Sequence, residues 1–356
     1  MKIQSLRELL YSKLPWHPER IHTFYALILA VLAGGSVKIK DMAQYIETRA
    51  SLSSKVVRLE RWFLKQNLDY SLIGKLIVGL LGCGGSEMTI AIDRTNWRYG
   101  KRDLNFLVAS VVCGAISVPV VWLLLDKKGS SSALERIELI NKLLTVMAAP
   151  GIGNILADRE FACQEFINYL WERDLPFTFR VKKNEQLKHE NGGKIKLGRY
   201  FKDMTAGAKQ ARRCQFYGLE LNVTCLQLER EHLFLVSTVQ IGDAALRVYK
   251  QRWSIERTFK ALKQSGFWME ETHMTELEKL GKLMAIVSLA LAVAVLGGKI
   301  KNALIPIKIK KHGRPQWSLF TYGLDWLISA CISKNPDAFL HKMRSLLDKA
   351  IDHAQI

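Results

Sequence analysis

The sequence lacks the cysteine patterns that build metal sites or disulfide frameworks. Six cysteines occur among 356 residues, with no CxxC pair and no His–Cys cluster. This usage argues against a zinc site and against a disulfide scaffold, so we interpret the cysteines as buried thiols in a reducing compartment. The first 20 residues are charged throughout and lack the apolar segment of a signal peptide. We therefore expect a cytoplasmic protein.

Long, unbroken hydrophobic runs are also absent. Residues 104–125 are apolar, but Gly114 and Pro119 interrupt them and their β-branched side chains favour strands. We interpret this run as two buried strands around a turn at Gly114 and Ala115. Residues 283–298 are shorter than the roughly 20 residues that span a bilayer, which favours a core helix. The sequence therefore predicts no membrane segment.

Acidic residues are scarce relative to basic ones. The chain has 52 Lys plus Arg against 33 Asp plus Glu, a formal net charge of +19. A protein this basic usually meets a polyanion, most often nucleic acid, and a membrane surface is the other candidate. Hydrophobic residues make up 49% of the chain, enough to bury a sizeable core. The charge therefore favours nucleic acid as the partner.

Hydrophobic periodicity predicts an α/β protein whose mixed sheet lies between helical ends. Strands are expected at 88–93, at two places within 104–125, at 153–161 and at 176–182, with helices between the later ones. The predicted regions are a helical DNA-binding region at 1–85, a first core part at 86–181, a β-rich basic insertion at 182–238, a second core part at 239–298, and a C-terminal basic loop with helices at 299–356.

Two of these regions carry concentrated positive charge. Within 1–85, two short helices resemble a helix-turn-helix, and Lys55, Arg58 and Arg61 recur at i, i+3 and i+6 on the second. An ordinary helical bundle with solvated basic residues explains the same pattern. Residues 182–214 hold ten Lys or Arg against three acids, and we expect them, with residues 308–314, to contact the DNA backbone.

Aspartates close two of the predicted core strands. Asp93 ends the segment "TIAID" and Asp158 follows "NILA". Ligands of open α/β sheets bind outside the carboxyl ends of the strands, so neighbouring strands would direct both carboxylates into one crevice. With Glu256 from a packed helix, the three would suit Mg²⁺ or Mn²⁺. Each aspartate alone is better explained by a cap or a turn. Glu160 and Asp126 are alternative carboxylates that are less well placed.

Residues 248–267 read as one helix with a polar face. Tyr249, Arg252, Glu256 and Lys263 fall within an arc of roughly 60° at 100° per residue. An apolar stripe beside them would dock the helix on the core: Ile255, Phe259 and Leu262. The alternative is an ordinary surface pair of Arg252 and Glu256, worth about 0.2–0.5 kcal/mol.

These patterns together resemble a known family. The spacing Tyr-x2-Arg-x3-Glu-x6-Lys is similar to the YREK signature of the bacterial DDE transposases of insertion-sequence family 4. The segments "AIDRTNW" (91–97) and "ADREF" (157–161) resemble those that carry the family's two aspartates. The resemblance implies an RNase H-like fold interrupted by an insertion, with Asp93, Asp158 and Glu256 holding two Mg²⁺ or Mn²⁺ ions.

The same resemblance implies a function. Such a transposase binds double-stranded DNA at the inverted repeats that end its element. It cuts this DNA through a hairpin intermediate and joins the 3′ ends to target DNA. It works as a homodimer. Tyr249, Arg252 and Lys263 would grip DNA phosphates. Some relatives stack a flipped base on an insertion tryptophan, which is absent here; the available aromatics are Tyr200, Phe201, Phe216 and Tyr217, apart from Phe234 on a probable strand. The competing hypothesis is a non-catalytic, sequence-specific DNA-binding protein.

Overall fold

The structure, a computed structural model, describes residues 6–81, 87–99, 102–189, 192–311 and 313–332. Its strands are β1 (Met88–Tyr99), β2 (Arg102–Cys113), β3 (Ile116–Leu125), β4 (Ile152–Ala157), β5 (Phe177–Val181), β6 (Gln186–Lys188), β7 (Lys194–Lys196), β8 (Lys209–Phe216), β9 (Leu219–Gln227) and β10 (His232–Ser237). Its helices are α1 (Leu6–Lys13), α2 (Pro18–Gly34), α3 (Ile39–Gln44), α4 (Leu52–Lys65), α5 (Tyr70–Leu80), α6 (Ala133–Val146), α7 (Gln164–Trp171), α8 (Leu197–Tyr200), α9 (Asp243–Lys250), α10 (Trp253–Lys260), α11 (Leu277–Leu304) and α12 (Leu319–Ile332).

The core half of the sheet has mixed pairing. The strand order begins β3-β2-β1-β4-β5, with β1 antiparallel to β2 and parallel to β4. Gly114 takes a φ of 66° in the turn between β2 and β3, as expected for a tight hairpin. Helices α6 and α7 follow β3 and β4, and a Ser132–Glu135 capping box starts α6. The predicted α/β class and order of elements are confirmed.

The strands of residues 182–238 continue this same sheet. Strand β10 pairs antiparallel with β5, and β9, β8, β6 and β7 follow in order, giving ten strands. Strands β8 and β9 form a hairpin whose turn residues Tyr217 and Gly218 have φ values of 52° and 82°. The β-rich segment is thus hydrogen bonded to the core strands instead of forming a sheet of its own among the described residues. The five-region division of the chain stays a prediction.

Strand β1 is longer than the sequence suggested. Asp93 does not end it, because β1 and β2 stay paired as far as Tyr99 and Arg102. Only the parallel partner stops, since the last residues that β1 and β4 pair are Ile92 and Ala157. The prediction ended the strand at its first charged residue. That rule failed because β2 continues alongside β1 and satisfies the backbone hydrogen bonds of β1 beyond Asp93.

The expected single helix at 248–267 is also wrong. Helix α9 ends at Lys250, α10 starts at Trp253, and residues 261–265 form a π-helical turn. Between the helices the backbone makes i to i−3 hydrogen bonds, such as Arg252 N–H to Tyr249 O at 3.0 Å. This tighter turn changes the direction of the following side chains. The apolar stripe nevertheless docks as predicted: Ile255, Phe259 and Leu262 are buried.

Helix α11 is the central core helix. At 28 residues it is long and apolar enough to cross a membrane, but 94% of its most apolar window is buried inside the fold. Two of its lysines bind the ends of N-terminal helices: Lys282 donates to Phe63 O at 2.7 Å and Lys299 to Leu81 O at 3.0 Å. Cations suit the exposed carbonyls at helix C-termini. The N-terminal helices are therefore fastened directly to the core.

Some expectations fall outside the described residues. The predicted boundary near residue 85 lies within 82–86, and the C-terminal part of the 299–356 region lies beyond residue 332. The basic loop at 308–314 is described apart from residue 312, and Ile309 forms an isolated antiparallel bridge with Pro315.

Candidate active site

The end of the parallel ladder brings the two aspartates to one edge. Asp93 and Asp158 each come one residue after the last pair of β1 and β4, Ile92 and Ala157. Asp93 lies on the continuing strand β1, whereas Asp158 begins the turn after β4. The sheet is open at this point because β4 no longer accompanies β1.

Helix α10 brings Glu256 to the same region. Its buried Thr258 hydroxyl donates to Ser117 O at 2.6 Å and accepts from Ser117 N–H at 2.9 Å. Ser117 lies on β3, the outermost strand of this side of the sheet. Thr258 thus satisfies edge backbone groups and anchors the helix there.

Arg252 joins two of the carboxylates. Its Nη1 lies 3.3 Å from Asp93 Oδ2, and its Nη2 lies 2.5 Å from Glu256 Oε1. The Arg252 side chain is only 8% exposed, so this is not the surface pair of the alternative interpretation. Its Nε is buried and has no hydrogen-bond acceptor among the described residues. The guanidinium therefore acts as a buried counterion between β1 and α10.

Asp93 has an altered acidity. Burial raises the pKa of Asp93 to about 6, and the negative charges of Glu256 and Glu160 add to the rise. The backbone N–H of Arg94, donating to Oδ1 at 2.8 Å, and the Arg252 charge oppose it. Burial thus outweighs the opposing interactions, and the Asp93 carboxyl holds its proton more tightly than an ordinary aspartate.

Asp158 has a different partner. The Tyr249 hydroxyl donates to Asp158 Oδ1 at 3.3 Å. Burial and, to a lesser degree, the Asp158 charge raise the pKa of Tyr249, so the phenol keeps its proton at neutral pH and can donate. The Arg252 Cζ lies 5.8 Å from the centre of the Tyr249 ring, which connects the two halves of the site.

Lys263 does not join this cluster. Its Nζ donates to Asn96 O at 2.6 Å, lies 3.3 Å from Glu270 and sits 5.7 Å from the centre of the Trp97 ring. The π-helical turn that contains Lys263 directs it to the far part of β1. Three of the four predicted signature residues are thus connected, and the fourth contacts the strand that carries Asp93.

The sequence missed several residues at this edge. Arg94 binds Glu160 across the gap between β1 and β4, so Glu160 already has a partner. Trp253, next to Arg252, is 57% exposed. An arginine directly after a strand-end aspartate was the available signal for Arg94. The other alternative carboxylate, Asp126, is largely exposed and lies 3.7 Å from Arg102.

The predicted N-terminal contacts are not equally exposed. Arg61 is exposed and Lys55 half-buried on α4. Arg58 turns towards α2, where its Nη2 lies 3.0 Å from the Thr23 hydroxyl and 3.4 Å from Glu19. Their role as DNA contacts stays a prediction.

The insertion aromatics are mostly engaged. Phe201, Phe216 and Phe234 are buried in the core and are not free to stack on a base. The Tyr200 hydroxyl accepts from Arg212, and the Tyr217 hydroxyl donates to Glu185 at 2.6 Å. Burial, more than the neighbouring Glu185 charge, also raises the pKa of Tyr217.

A comparison with protein-family models identifies the family of the chain. The family model described as the transposase DDE domain matches residues 84–293, more than half of the chain. The chain belongs to the DDE transposase family. No curated protein matched this DDE transposase. The matched range contains Asp93, Asp158 and Glu256, and membership of the family implies DNA as the partner.

The carboxylates of this DDE transposase fit a divalent cation in their chemistry. Oxygen-only donors suit Mg²⁺ or Mn²⁺. The carboxylates do not form a complete metal-ligand set. In the described ranges, no three His, Cys, Asp or Glu side chains lie close enough together to bind one ion. Arg252 supplies positive charge to Asp93 and Glu256 here.

Proposed function

We propose that this chain is the transposase of a bacterial insertion sequence of family 4, with Tyr249, Arg252, Glu256 and Lys263 as its YREK signature. The observation that carries the proposal is the buried guanidinium of Arg252, which contacts both Asp93 and Glu256. A surface ion pair would not be buried. Because Arg252 joins Asp93 on β1 to Glu256 on α10, it supports a common site for these two predicted acids.

The catalytic carboxylates of the proposal are Asp93, Asp158 and Glu256, which would hold two Mg²⁺ or Mn²⁺ ions. Two such ions lower the pKa of the attacking water and stabilise the leaving oxygen in phosphoryl displacement. Arg252 would contact a DNA phosphate only after releasing Asp93 and Glu256, because both of its Nη nitrogens bind these carboxylates in the structure. Tyr249, held neutral, would keep Asp158 oriented by its hydroxyl proton.

The proposed reaction has two kinds of step. Water attacks a phosphodiester at the element end, its oxygen bonds to phosphorus, and the 3′-oxygen leaves and takes up a proton. The freed 3′-hydroxyl then attacks a phosphodiester of the opposite strand, forming a hairpin and expelling the 3′-oxygen of the flanking DNA, which takes up the proton. Water opens the hairpin by displacing the same 3′-oxygen that formed it. That 3′-hydroxyl finally attacks a phosphodiester of target DNA, and the 3′-oxygen of the target strand leaves. The outcome is cut-and-paste transposition by a homodimer bound to paired ends.

Basic surfaces would hold the DNA. Strand β8 exposes its first five residues, including Lys209, Arg212 and Arg213, along one edge of the insertion. Such residues neutralise phosphates without reading sequence. Arg61 and Lys55 on α4 would discriminate sequence at the inverted repeats, with Arg58 as a less accessible neighbour. We place the protein in the bacterial cytoplasm, where the DNA is.

Trp253 is the best candidate for stacking on a displaced base. It is 57% exposed, and the centre of its ring lies 5.8 Å from the Arg252 Cζ. Base-on-aromatic stacking is worth about 1–3 kcal/mol per base. The aromatics of the insertion are less available, because they are buried or hydrogen bonded.

The alternative function is a non-catalytic, sequence-specific DNA-binding protein. It is favoured by one observation, namely that the described carboxylates do not form a closed metal-ligand cluster. Both functions predict DNA binding, so only chemistry separates them.

The deciding experiment measures divalent-dependent cleavage and strand transfer on a duplex that carries the element end. Asp93→Ala, Asp158→Ala and Glu256→Ala should each abolish cleavage and retain end binding, because phosphate contacts supply most of the affinity. Asp126→Ala is the matched control and should cleave normally, since Asp126 is exposed. Cleavage by Glu256→Ala at the wild-type rate would remove the site assignment. Binding without cleavage by the wild type would favour the alternative.

A further inference from the structure

Backbone pairing does not fix the distance between the two aspartates. The ladder of β1 and β4 ends at Ile92 and Ala157, one residue before Asp93 and Asp158. Beyond that point β1 follows β2, and the chain after β4 turns away. Something other than the parallel ladder must therefore hold the turn after β4 against β1.

One ion pair spans this gap. Arg94, next to Asp93, places its Nε 2.7 Å from Glu160 Oε1 and its Nη2 3.2 Å from Glu160 Oε2. Their side chains are 18% and 34% exposed. Two parallel hydrogen bonds between a guanidinium and a carboxylate fix orientation as well as distance. The pair thus joins Arg94, which follows Asp93, to Glu160, which comes two residues after Asp158.

The Arg94 guanidinium is itself held in place. Its Nη1 donates to Gly129 O at 2.6 Å and to Asn105 Oδ1 at 3.2 Å. Asn105 is only 3% exposed, and its amide donates to Lys127 O and to Gly129 O, each at 3.2 Å. Arg94 therefore connects β1, β2, the segment after β3 and the turn after β4.

We propose that Arg94 and Glu160 are positioning residues that set the separation of Asp93 and Asp158 for metal binding; this inference rests on the proposed function. Both Glu160 oxygens are engaged by Arg94, which argues against Glu160 as a metal ligand. All three guanidinium nitrogens of Arg94 are engaged, which argues against a DNA contact.

The size of the effect follows from the role. Residues that orient metal ligands typically contribute 10–100-fold to metal affinity or activity. Small displacements of reacting groups can cost about 100-fold in rate. The pair acts as one unit, so removing either member should release the turn after β4 to the same extent, and removing both should do little more.

The experiment is a double-mutant cycle read by metal binding. Arg94→Gln, Glu160→Gln and the double variant are complexed with an element-end duplex, and Mn²⁺ binding is titrated by electron paramagnetic resonance. We expect each single variant to raise the half-saturating Mn²⁺ concentration about tenfold or more, and the double variant to match them. Arg94→Lys is the substitute should Arg94→Gln fold poorly. It keeps the positive charge but loses the two parallel hydrogen bonds, so we expect a smaller rise in the half-saturating Mn²⁺ concentration.

The control breaks a comparable pair elsewhere in the sheet. Glu231 accepts from Arg180 Nη2 through both carboxylate oxygens at 3.2 Å, so Glu231→Gln removes a similar contact. Its Mn²⁺ titration should match that of the wild type. A similar shift in this control would mean that any lost ion pair has the effect, and would overturn the positioning role.

Each contrary outcome has its own meaning. Loss of Mn²⁺ binding in Glu160→Gln alone would make Glu160 a ligand and overturn the proposal. Weaker DNA binding in Arg94→Gln alone, with Mn²⁺ binding unchanged, would make Arg94 a DNA contact and also overturn it. Mn²⁺ binding that is lost in Asp158→Ala but unchanged in both variants overturns the pair's role alone. A wild-type complex that binds no Mn²⁺ overturns the proposed function together with it.

Discussion

Asp93 and Asp158 occupy equivalent positions one residue past the last pair of two parallel strands, yet they are held by different groups. Asp93 faces the guanidinium of Arg252, which is 8% exposed and also binds Glu256. Asp158 accepts a hydrogen bond from the neutral hydroxyl of Tyr249. One aspartate has a charged, buried partner and the other has an uncharged one.

Both aspartates are half-buried, so the difference lies in the charge of their partners. A carboxylate withdrawn from water needs a nearby cation or it becomes protonated, and burial raises the pKa of Asp93 to about 6 even with Arg252 beside it. Asp158 lies in the turn after β4 and accepts from a hydroxyl that carries no charge. We infer that the Asp93 half of the site depends on Arg252 for folding as well as for function.

The largest expected effect comes from removing Arg252. Breaking a buried ion pair on one side costs about 3–5 kcal/mol, because an uncompensated charge remains. Arg252→Ala should therefore lower the free energy of unfolding by about that amount without metal, and should raise the pKa of Asp93 further. Denaturant unfolding in EDTA measures this directly.

The control for Arg252 lies on α10, the helix that begins at the next residue. Arg257 is exposed, and its Nη1 reaches only Ala115 O at 3.5 Å. Arg257→Ala should change stability by no more than about 0.5 kcal/mol. Equal stability losses in the two variants would return Arg252 to the surface-pair interpretation.

The second prediction tests Asp93 by pH. Because its pKa is about 6 in the folded protein and 3.8 as an ordinary aspartate, the folded state holds the proton more tightly. Stability from this group is full below about pH 4 and declines as the pH rises to about 6. The decline corresponds to about 3 kcal/mol as an upper limit, at 1.36 kcal/mol per pKa unit.

Asp93→Asn removes that titration. The variant should be more stable than the wild type at pH 7 in EDTA, and the two should converge near pH 4. Urea unfolding at several pH values between 4 and 7 measures the difference. A constant gap across this range would show that Asp93 titrates normally and that Arg252 compensates its charge fully.

Much of the fold followed from sequence patterns. Alternating and continuous apolar runs predicted β1 to β5 and their helices, and Gly114 marked the turn of the hairpin. The sequence did not reveal that the strands after β5 would extend the same sheet. Which strand pairs with the edge of β5 depends on contacts between residues far apart in the chain. Nor did it reveal the full length of β1, because a charged residue in a strand is tolerated when its antiparallel neighbour continues.

The contacts among the predicted site residues followed only partly from the sequence. Spacing identified Tyr249, Arg252 and Glu256, which the structure connects to the two aspartates. Ideal helix geometry could not foresee the tight turn before α10 or the π-helical turn after it, and these redirect Lys263. Hydrogen-bond geometry at helix junctions is set by packing, which periodicity does not contain.

A smaller effect is expected from Lys263, the proposed signature residue that contacts neither aspartate. Lys263→Ala removes the contacts with Asn96 O and Glu270, which should cost on the order of 1–2 kcal/mol. Cleavage should also fall, because these contacts hold the π-helical turn against the strand that carries Asp93. Exposed Lys250 provides the control, and Lys250→Ala should leave both stability and cleavage near wild type. Equal cleavage by the two variants would remove Lys263 from the functional set.

The smallest effect is expected for Tyr249, and it decides whether the two aspartates really differ. Tyr249→Phe keeps the ring and removes only a neutral hydrogen bond of 3.3 Å to Asp158, whose carboxylate water can then solvate. The expected loss of stability is about 0.5–1.5 kcal/mol. The matched control is Tyr217→Phe, which removes a hydroxyl that donates to Glu185 at 2.6 Å in the insertion. Both variants should lose similar stability, but only Tyr249→Phe should slow cleavage, by about tenfold or less, since 1.36 kcal/mol corresponds to a factor of ten in rate. Stability and single-turnover cleavage are measured on the same preparations. A stability loss in Tyr249→Phe as large as that of Arg252→Ala would mean that Asp158 is as dependent on its partner as Asp93, and the distinction between the charged and the neutral partner would fail.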